Sequence, residues 1–457
     1  MSKYFGTDGI RGKAEMFTTD FIKALVIGLL EYDKSRERDE LKVLVGGDTR
    51  ESTEWIIRDL ETVLETLGVE HGNVGVLPTP GINLAFYDMG FDYAIDVTAS
   101  HNTSEDNGIK IFERGEKGGE KLKEAGKQAI EEALNEGRAF ELVATELRED
   151  LHDDALERYM EHLREYVRKP LTRKAGGTDV KIDLSGMKIG VDCANGAMSV
   201  IGDKLFTEMG AEVTLINNDA SYGTLINRSA GCLHIEQMQK LVKDRGLDFG
   251  VAFDGDGDRC LMVDHTGEVV DGDQVMAILG NYLQVKSMVT TVMCNQGLME
   301  WGKRRGVKLW ITDVGDQYVA EKMRQEKIEL GGEQSGHIIL PGEAMGDGML
   351  TALMVMRIVA EKKQSLRKLA GTMQRFPQVM VNMPATKAEK LALTQDEAVK
   401  ALIEEYHAKL DSMGGRMLVR PSGTEELIRI TMWGQDEGEI MAQAKELERK
   451  LKNPRKG

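Results

Sequence analysis

The stretch Asp254-Gly255-Asp256-Gly257-Asp258-Arg259 places three carboxylates on one short turn. It follows the apolar run 249–253, which is typical of a buried strand because it is short and ends in a turn signal. Glycines at alternate positions let the backbone curl, so the three aspartate side chains can converge on one point. Converging carboxylates repel one another unless a cation lies among them. The stretch therefore predicts a site for a hard divalent cation, and Mg²⁺ fits best because it binds oxygen ligands and leaves positions open for phosphate.

Two other interpretations of this stretch have to be weighed. A calcium-binding EF-hand loop requires glycine at its sixth position and glutamate at its twelfth. This chain has Arg259 and His265 there, which excludes that loop. A surface hairpin turn leading into residues 261–264 stays open as an alternative, although a turn rarely needs three carboxylates.

Composition narrows the class of protein. At 457 residues the chain exceeds the size at which one hydrophobic core keeps growing, so about three or four domains are expected. With 41% hydrophobic and 30% charged residues, it has the balance of a globular protein. A formal net charge of −17 opposes nucleic acid and anionic membranes as partners. A small anionic substrate remains compatible where a metal and basic side chains reverse the field locally.

The start of the chain and its cysteines predict a cytoplasmic location. Residues 1–5 lack the basic start and the apolar core of a secretory signal. The apolar run 24–30 is too short to span a bilayer. The four cysteines have neither CxxC nor metal-ligand spacing, which is typical of buried thiols in a reducing compartment.

Ser100 follows a predicted strand at a position where α/β folds commonly bind ligands. Strands alternating with helices up to about residue 330 predict βα units and largely parallel sheets, which bind ligands at the carboxyl ends of their strands. Ser100 follows the predicted strand 93–97 in Thr98-Ala99-Ser100-His101-Asn102. By itself Ser100 would more often be a turn residue. Beside a cation site it becomes a candidate nucleophile.

The C-terminal part has a different order of predicted strands and helices. Its order of β-α-β-β-α over residues 379–450 predicts a small antiparallel α+β domain. Arg420-Pro421-Ser422-Gly423-Thr424-Glu425 lies between its two central strands, and Arg429 follows. Two arginines, two hydroxyls and a glycine turn suit a bound phosphate. The alternative is a hairpin turn with surface charges.

Together these loops indicate phosphoryl transfer. A serine hydroxyl is a poor nucleophile without a base or a prior modification. His101 would point to the opposite face from Ser100 if the segment stays extended, and no separated His–Asp pairing suggests a hydrolase triad. If Ser100 carries a phosphate, its charge would complete the oxygen shell of a cation held by Asp254, Asp256 and Asp258.

Five motifs in this order resemble the signatures of the α-D-phosphohexomutase superfamily. The resemblance runs from Phe5 to about Leu451, nearly the whole chain. Each motif is modestly specific, whereas five in order are highly specific. They are the opening Phe5–Gly12, Thr98–Asn102 with Asn107–Lys110, Asp254–Arg259, Gly332–His337 and Arg420–Thr424.

This resemblance implies a heart-shaped enzyme with four domains. Three consecutive α/β mixed-sheet domains would precede a C-terminal α+β domain. The boundaries that we expect, to within several residues, are 1–150 with the phosphoserine loop, 151–253, 254–370 with the metal and sugar loops, and 371–457 with the phosphate loop.

The resemblance also implies an intramolecular phosphotransferase of the isomerase class. The opening, sugar and phosphate loops are most similar to those of the bacterial enzymes that act on glucosamine phosphates in the supply of peptidoglycan precursors. Phosphorylated Ser100 would then interconvert glucosamine 6-phosphate and glucosamine 1-phosphate through a 1,6-bisphosphate. One Mg²⁺ per chain would assist, and a sugar 1,6-bisphosphate would be the activator.

Roles for single residues follow from the same resemblance. Arg11 and Arg259 would lie near the reacting phosphate, and Lys110 and His337 match positions suspected of proton transfer. A structural role for His337 is an equal alternative. The substrate-binding residues would be His101, Glu333, Ser335, Arg420, Ser422, Gly423, Thr424 and Arg429.

Several residues depart from the superfamily pattern and leave the substrate open. The segment Thr103–Asp106 replaces a proline and an aromatic residue, Gln317 replaces an arginine, and Glu426 replaces a proline. Residues 231–236 also differ from the usual Gly-Ser-Thr-His-Pro-Glu. A phosphomannomutase or phosphoglucomutase, or a sugar-phosphate-binding regulator with little turnover, therefore remain alternatives. A homodimer and a diadenylate cyclase partner are expected from the resemblance alone.

Overall fold

The computed structural model of the protein describes residues 3–6, 8–34, 41–137, 140–143, 150–170, 182–422 and 426–452. The chain divides into two compact units, the first with residues 1–291 and 310–371 and the second with residues 292–309 and 372–457. Within the described ranges, no helix is long and apolar enough to cross a membrane.

A seven-stranded sheet opens the first unit. Its strands are β1 (Phe5–Gly6), β2 (Gly9–Lys13), β3 (Lys42–Gly47), β4 (Glu70–Val76), β5 (Tyr93–Val97), β6 (Asp106–Arg114) and β7 (Gly119–Lys121). They follow the order β1-β2-β6-β5-β3-β4, and β7 pairs with β6. β3 is parallel to β4 and β5, whereas β6 is antiparallel to both β5 and β2.

Helices cover both faces of this sheet. They are α1 (Thr19–Lys34), α2 (Glu51–Thr66), α3 (Thr79–Asp88), α4 (Glu124–Glu136) and α5 (His152–Arg168). Successive side chains of a strand point to opposite faces. Accordingly, Val43 packs with residues of α1 and α2, while Leu44 packs with residues of α3 and α5. Burial on both faces explains why all five residues of β5 are buried.

The second sheet has five strands in the order β12-β11-β10-β8-β9. They are β8 (Lys188–Asp192), β9 (Glu212–Ile216), β10 (Phe249–Phe253), β11 (Cys260–Asp264) and β12 (Val269–Val270), with helices α6 (Lys204–Glu208) and α7 (Glu236–Arg245). β8 is parallel to β9 and β10, and β10 forms an antiparallel hairpin with β11. The domain boundary expected between residues 253 and 254 falls inside that hairpin.

The third sheet has the order β14-β13-β15-β16. Its strands are β13 (Ser287–Thr291), β14 (Lys308–Thr312), β15 (Gly331–Gly332) and β16 (Ile338–Ile339), and its helices are α8 (Gly272–Leu283), α10 (Asp316–Glu326), α11 (Gly348–Lys362) and α12 (Leu366–Ala370). Helix α9 (Gln296–Arg305) belongs to the second unit. Local sequence fixes where α8 begins, because Asp271 and Gln274 form a capping box.

The second unit contains an antiparallel sheet of three strands in the order β17-β19-β18. These strands are β17 (Gln378–Pro384), β18 (Arg416–Pro421) and β19 (Leu427–Trp433), with helices α13 (Lys387–Gln395), α14 (Glu397–Ser412) and α15 (Glu437–Lys452). One apolar cluster joins the sheet to α14 and α15.

The predicted fold class is confirmed: three mixed α/β sheets precede an antiparallel α+β unit. Three details differ from the sequence-based expectation. β6 was not foreseen, and its antiparallel pairs make the first sheet less parallel than expected. Residues 119–121 form a strand before α4, and α13 adds a helix to the C-terminal order. The polar run 173–183 predicts a loop, and most of it lies outside the described residues.

Candidate active site

Ser100 lies on a tight turn directly after β5. Its side chain is fully buried, and its hydroxyl donates a hydrogen bond to Asp254 Oδ2 at 2.9 Å. Its backbone N–H donates to Thr98 Oγ1 at 2.8 Å. Its φ of +52° is left-handed rather than extended. The turn therefore presents the Ser100 hydroxyl to the acidic loop between β10 and β11.

That acidic loop closes the β10–β11 hairpin and buries its three carboxylates. Asp254, Asp256 and Asp258 are each at most 2% exposed, and ligand atoms of the three lie within 4.8 Å of one another. Gly257 has a φ of +72°, which bends the loop back on itself. The hairpin alternative was thus correct for the backbone but wrong for the surface location.

Burying three negative charges close together is unfavourable, and the pKa of Asp254 reflects this. Burial raises the pKa of Asp254 well above its usual value, and the neighbouring Asp256 and Asp258 raise it further. Burial also opposes charge on Asp258, but Lys110, followed by His337 and Arg259, holds its pKa well below the usual range. Positive charge at this point therefore stabilises the ionised triad.

The three aspartates fit a hard divalent cation. Within the described part of the chain, Asp256 Oδ1 and Asp258 Oδ1 are buried without a hydrogen-bond partner. Buried carboxylate oxygens that lack donors are costly unless a cation approaches them. Oxygen ligands of this kind suit Mg²⁺, and the Ser100 hydroxyl oxygen lies beside Asp254 Oδ2.

Lys110 on β6 is the cation closest to the triad. Its Nζ donates to Asp256 Oδ2 at 2.6 Å and to Asp258 Oδ2 at 3.2 Å, and it lies 3.5 Å from Asp8 Oδ2. Burial would lower the pKa of Lys110, but Asp256, Asp258 and Asp8 raise it well above its usual value. These contacts hold Lys110 as an ammonium ion.

His337 lies on the other side of Asp258. Its Nδ1 is 3.5 Å from Asp258 Oδ2, and its Nε2 accepts a hydrogen bond from the Gly346 N–H at 3.1 Å. Burial would lower the pKa of His337, but Asp258, Asp316 and Glu333 raise it. Because Nε2 accepts, we assign the ring proton to Nδ1, facing Asp258.

His101 and Arg259 form a pair beside Ser100. Arg259 Nη1 lies 2.9 Å from His101 Nδ1, which in turn lies 3.5 Å from Ser100 Oγ. Burial, with Arg259 next, lowers the pKa of His101 to about 3. His101 is thus a neutral acceptor near Ser100, and the prediction that it points away was wrong because the turn is left-handed rather than extended.

A bridge of acidic and basic side chains extends this network. Lys121 Nζ donates to Asp8 Oδ1 at 2.5 Å and to Asp316 Oδ1 at 2.7 Å, and Arg11 also contacts Asp8. Although burial opposes it, Lys110, Lys121 and Arg11 hold the pKa of Asp8 well below its usual range. Lys121 was not among the predicted site residues, because the charged run 120–137 is typical of a helix, whereas residues 119–121 form a strand.

The proposed sugar loop packs against the same hairpin. The Cys260 N–H donates to Gly336 O at 3.2 Å, so the end of the segment 332–337 lies beside the start of β11, directly after the acidic loop. Glu333 is 8% exposed and accepts from the Gly315 N–H at 3.3 Å. Ser335 lies exposed within the loop. Among the predicted residues of the first unit, the structure therefore brings Arg11, Ser100, His101, Lys110, Asp254, Asp256, Asp258, Arg259, Glu333 and His337 into one region.

The predicted phosphate loop lies within the second unit. Arg420 on β18 stands directly opposite Arg429 on β19. Burial, together with the positive charge of Arg429, lowers the pKa of Arg420. The Ser422 N–H donates to Leu427 O at 2.9 Å, which closes the hairpin. The predicted residues Gly423 and Thr424 lie outside the described residues.

Like charges directly opposite each other destabilise a strand pair. An anion bound between two arginines would lower their mutual repulsion. Two guanidinium groups suit a phosphate, because each presents several N–H donors in a fixed plane.

Comparison with family models finds four matches in chain order. Their descriptions are phosphoglucomutase/phosphomannomutase, alpha/beta/alpha domain I (residues 2–140), alpha/beta/alpha domain II (157–267), alpha/beta/alpha domain III (271–376) and C-terminal domain (380–450).

Curated relatives match over nearly their whole length. Phosphoglucosamine mutase of Saccharopolyspora erythraea is 40% identical over 450 residues, covering 96% of each chain. The protein of that name from Corynebacterium aurimucosum is 39% identical over 444 residues, covering 94% of this chain and 95% of that protein.

Solved structures share the fold at lower identity. A putative phosphomannomutase from Thermus thermophilus has a TM-score of 0.75 and 23% identity, covering 99% of both chains. Aspergillus fumigatus N-acetylphosphoglucosamine mutase, solved with GlcNAc-6P and magnesium, has a TM-score of 0.63 and 16% identity, covering 99% of this chain and 96% of that one.

Proposed function

The chain belongs to the phosphoglucomutase/phosphomannomutase family, and from that premise we propose that it interconverts glucosamine 6-phosphate and glucosamine 1-phosphate. The substrate follows from full-length relatives that carry the name phosphoglucosamine mutase. The observation that carries the chemistry is the buried Ser100 hydroxyl, 2.9 Å from Asp254 Oδ2. A nucleophilic Ser100 would therefore act beside carboxylates that fit a metal.

The reaction begins with a phosphoryl group on Ser100. The 1-hydroxyl of glucosamine 6-phosphate attacks the phosphorus, the bond from phosphorus to Ser100 Oγ breaks, and the hydroxyl proton passes to a base. The product is glucosamine 1,6-bisphosphate. The bisphosphate then reorients so that its 6-phosphoryl group faces Ser100. Ser100 Oγ attacks this group, and the released sugar oxygen takes a proton. Glucosamine 1-phosphate leaves, and Ser100 is phosphorylated again.

Asp254, Asp256, Asp258 and the Ser100 oxygen would hold one Mg²⁺ per chain, which when bound neutralises charge on the transferring group. Arg11 and Arg259 would bind the oxygens of the reacting phosphate. A sugar 1,6-bisphosphate would serve as activator by supplying the first phosphoryl group to Ser100.

Proton transfer is assigned to His337 in preference to Lys110. Lys110 is held as a cation by three carboxylates, which opposes a role as base. His337 could take the proton at Nε2 once that nitrogen gives up the Gly346 N–H, and a histidine changes charge at physiological pH more readily than a lysine. We expect His337→Gln to lower kcat by about 10²-fold.

The remaining groups would bind the sugar and the phosphate that is not reacting. We assign the sugar hydroxyls to Glu333 and Ser335, with His101 beside the reacting phosphate. Arg420, Ser422, Gly423, Thr424 and Arg429 would bind the distal phosphate. We also keep a cytoplasmic location, supported by four free buried cysteines, and a homodimer with a possible diadenylate cyclase partner as proposals.

Phosphorus NMR of the purified protein with Mg²⁺ and trace sugar 1,6-bisphosphate tests this function. Glucosamine, glucose and mannose 6-phosphates are supplied in separate tubes, with Ser100→Ala as the matched inactive variant. We expect the 1-phosphate signal to appear fastest with glucosamine and to be absent with the variant. Equal rates on all three sugar phosphates would contradict glucosamine 6-phosphate as the preferred substrate. A faster rate with mannose or glucose 6-phosphate would favour the phosphomannomutase or phosphoglucomutase alternative.

A further inference from the structure

The backbone of Ser100 adopts a conformation that a serine rarely takes. Its φ is +52°, in the left-handed region where a side chain crowds the following carbonyl. Residues held in this region persist only where their surroundings fix them. The contacts around Ser100 should therefore show what holds the turn.

Two side chains hold two carbonyl groups of this turn. Asn227 Nδ2 donates to Ser100 O at 2.7 Å and to Asn102 O at 2.8 Å. Arg50 Nη2 donates to the same two oxygens, at 3.2 Å and 2.5 Å. We call these two side chains the carbonyl clamp. Each carbonyl oxygen thus accepts from both members of the clamp.

Both members of the clamp are buried and fixed in turn. Arg50 is 2% exposed and forms an ion pair with Asp48. Asp48 Oδ2 accepts from Thr98 Oγ1 at 2.6 Å, and that hydroxyl accepts from the Ser100 N–H at 2.8 Å. Asn227 is 3% exposed, and its own N–H donates to Ala194 O at 2.9 Å. The clamp is therefore a rigid support for the turn.

Asn227 also lies against the acidic loop. A Cβ atom added to Gly255 would lie 2.5 Å from Asn227 Nδ2 and 2.7 Å from Ser100 O. Only a glycine permits this approach. The Asn227 amide and the Ser100 carbonyl are therefore packed directly on the loop that carries Asp254, Asp256 and Asp258.

We propose that Asn227, together with Arg50, is a positioning residue for phosphoryl transfer. The clamp holds the Ser100 turn in its left-handed conformation and fixes the distance from Ser100 Oγ to the acidic loop. It contacts the Ser100 backbone carbonyl, not the Ser100 hydroxyl that would carry the phosphoryl group, and it therefore acts by positioning Ser100. As a role in phosphoryl transfer, this proposal rests on the function proposed above.

Asn227→Gly tests the clamp with little backbone strain. Glycine accepts a left-handed φ, and Asn227 has a φ of +56°, so this change removes the side chain without straining the backbone. Asn217→Gly is the matched control, because Asn217 has a φ of +48° and its amide donates to Asp192 and Gln237 instead. Asn227→Asp is a second variant that keeps the shape of the side chain, but its carboxylate can donate a hydrogen bond to neither carbonyl.

We expect Asn227→Gly and Asn227→Asp to lower kcat by about 10- to 100-fold, because small misplacements of a reacting group are costly. The KM for glucosamine 6-phosphate should stay within about twofold, since the clamp does not bind substrate. Asn217→Gly should keep both constants within about twofold. A wild-type kcat in either Asn227 variant, or an equal loss in Asn217→Gly, would overturn the proposal.

Crystal structures of Asn227→Gly and Asn217→Gly decide the point independently of turnover. We expect Ser100 to leave the left-handed region, and its hydroxyl to leave Asp254, in Asn227→Gly only. An unchanged Ser100 turn in that variant would overturn the clamp. If the wild-type protein turned over none of the three sugar phosphates, the proposed function would fail, while these structures would still test the clamp.

Discussion

The Ser100 region and the β18–β19 hairpin both present groups suited to phosphate, but they balance their charges differently. Around Ser100, the buried carboxylates face Lys110, Arg259 and His337. In the hairpin, Arg420 stands opposite another arginine, which together with burial lowers its pKa.

This difference indicates two kinds of site. The first fixes reacting atoms before the substrate arrives, as electrostatic preorganisation requires. The second brings two guanidinium groups together, an arrangement that suits the binding of an anion. Changes in the first should act mainly on kcat, and changes in the second mainly on KM.

Removing the nucleophile should have the largest effect. Ser100→Ala is expected to lower turnover by at least about 10⁴-fold, because no other group can carry the phosphoryl group. Turnover is measured by phosphorus NMR and folding by circular dichroism. Ser104→Ala is the control, because its hydroxyl is exposed and donates to Thr224 O. Turnover comparable to wild type in Ser100→Ala would remove the distinction between the two regions.

Neutralising one carboxylate should separate activity from stability in the first region. Burial and its two neighbours raise the pKa of Asp254, so the metal-free protein is strained by this charge. Asp254→Asn should lower kcat by about 10²- to 10³-fold and, with a chelator present, raise the free energy of unfolding by about 1 kcal/mol.

Urea denaturation with a chelator and with Mg²⁺ measures this trade-off. Mg²⁺ should stabilise the wild-type protein more than the variant, because the variant has lost a metal-ligand charge. Asp244→Asn is the control, since Asp244 is an exposed acid paired with Lys240 on α7. A variant less stable than wild type in chelator would contradict the account of the triad.

The hairpin predicts the opposite kinetic pattern. Arg420→Met should raise the KM for glucosamine 6-phosphate by about 10-fold, because a charge-assisted phosphate contact is lost. It should change kcat much less. Steady-state kinetics provides the measurement, and Arg449→Met on α15 is an exposed control in the same unit. A fall in kcat at unchanged KM would place Arg420 in the chemistry and break the comparison.

The last prediction concerns stability alone and separates burial from catalysis. Asp347 caps α11 and accepts hydrogen bonds from Tyr159 Oη at 3.0 and 3.1 Å. Burial raises its pKa to about 7, whereas an unfolded chain has a value of about 3.9. Between these values the folded state binds more protons, so stability falls as the pH rises from about 4 to 7.

Asp347→Asn should flatten this decline by on the order of 2 kcal/mol between pH 4 and pH 7. Urea denaturation at several pH values measures it, with the exposed Asp153→Asn as control. Some slope should remain, because Glu343 raises the pKa of His162 despite burial, and that contribution is also lost as the pH rises. Parallel pH profiles for wild type and Asp347→Asn would count against the raised pKa.

Local residue types were enough to predict part of the molecule. The apolar run at 249–253 and the Asp-Gly turn after it gave the strand and the converging carboxylates, because both depend on neighbouring residues. β5 was likewise predicted with its observed bounds. The two central strands predicted on either side of the phosphate loop are β18 and β19. The family resemblance joined these motifs into one architecture.

Contacts distant in sequence were not predictable in the same way. Asn227 meets Ser100 across 127 positions, and Lys121 meets Asp316 across 195. The left-handed φ of Ser100 also escaped prediction, because serine usually avoids it. β6 was missed because a strand buried between two others carries no simple alternation of polar and apolar residues.

Rapid-quench transfer of label from sugar 1,6-bisphosphate tests the central claim most directly. The protein is mixed with bisphosphate that carries a labelled phosphoryl group, and peptide mass spectrometry locates the label. The account predicts labelled Ser100, and release of that label into bisphosphate when glucosamine 6-phosphate is added. Turnover of glucosamine 6-phosphate without label on Ser100 would contradict it.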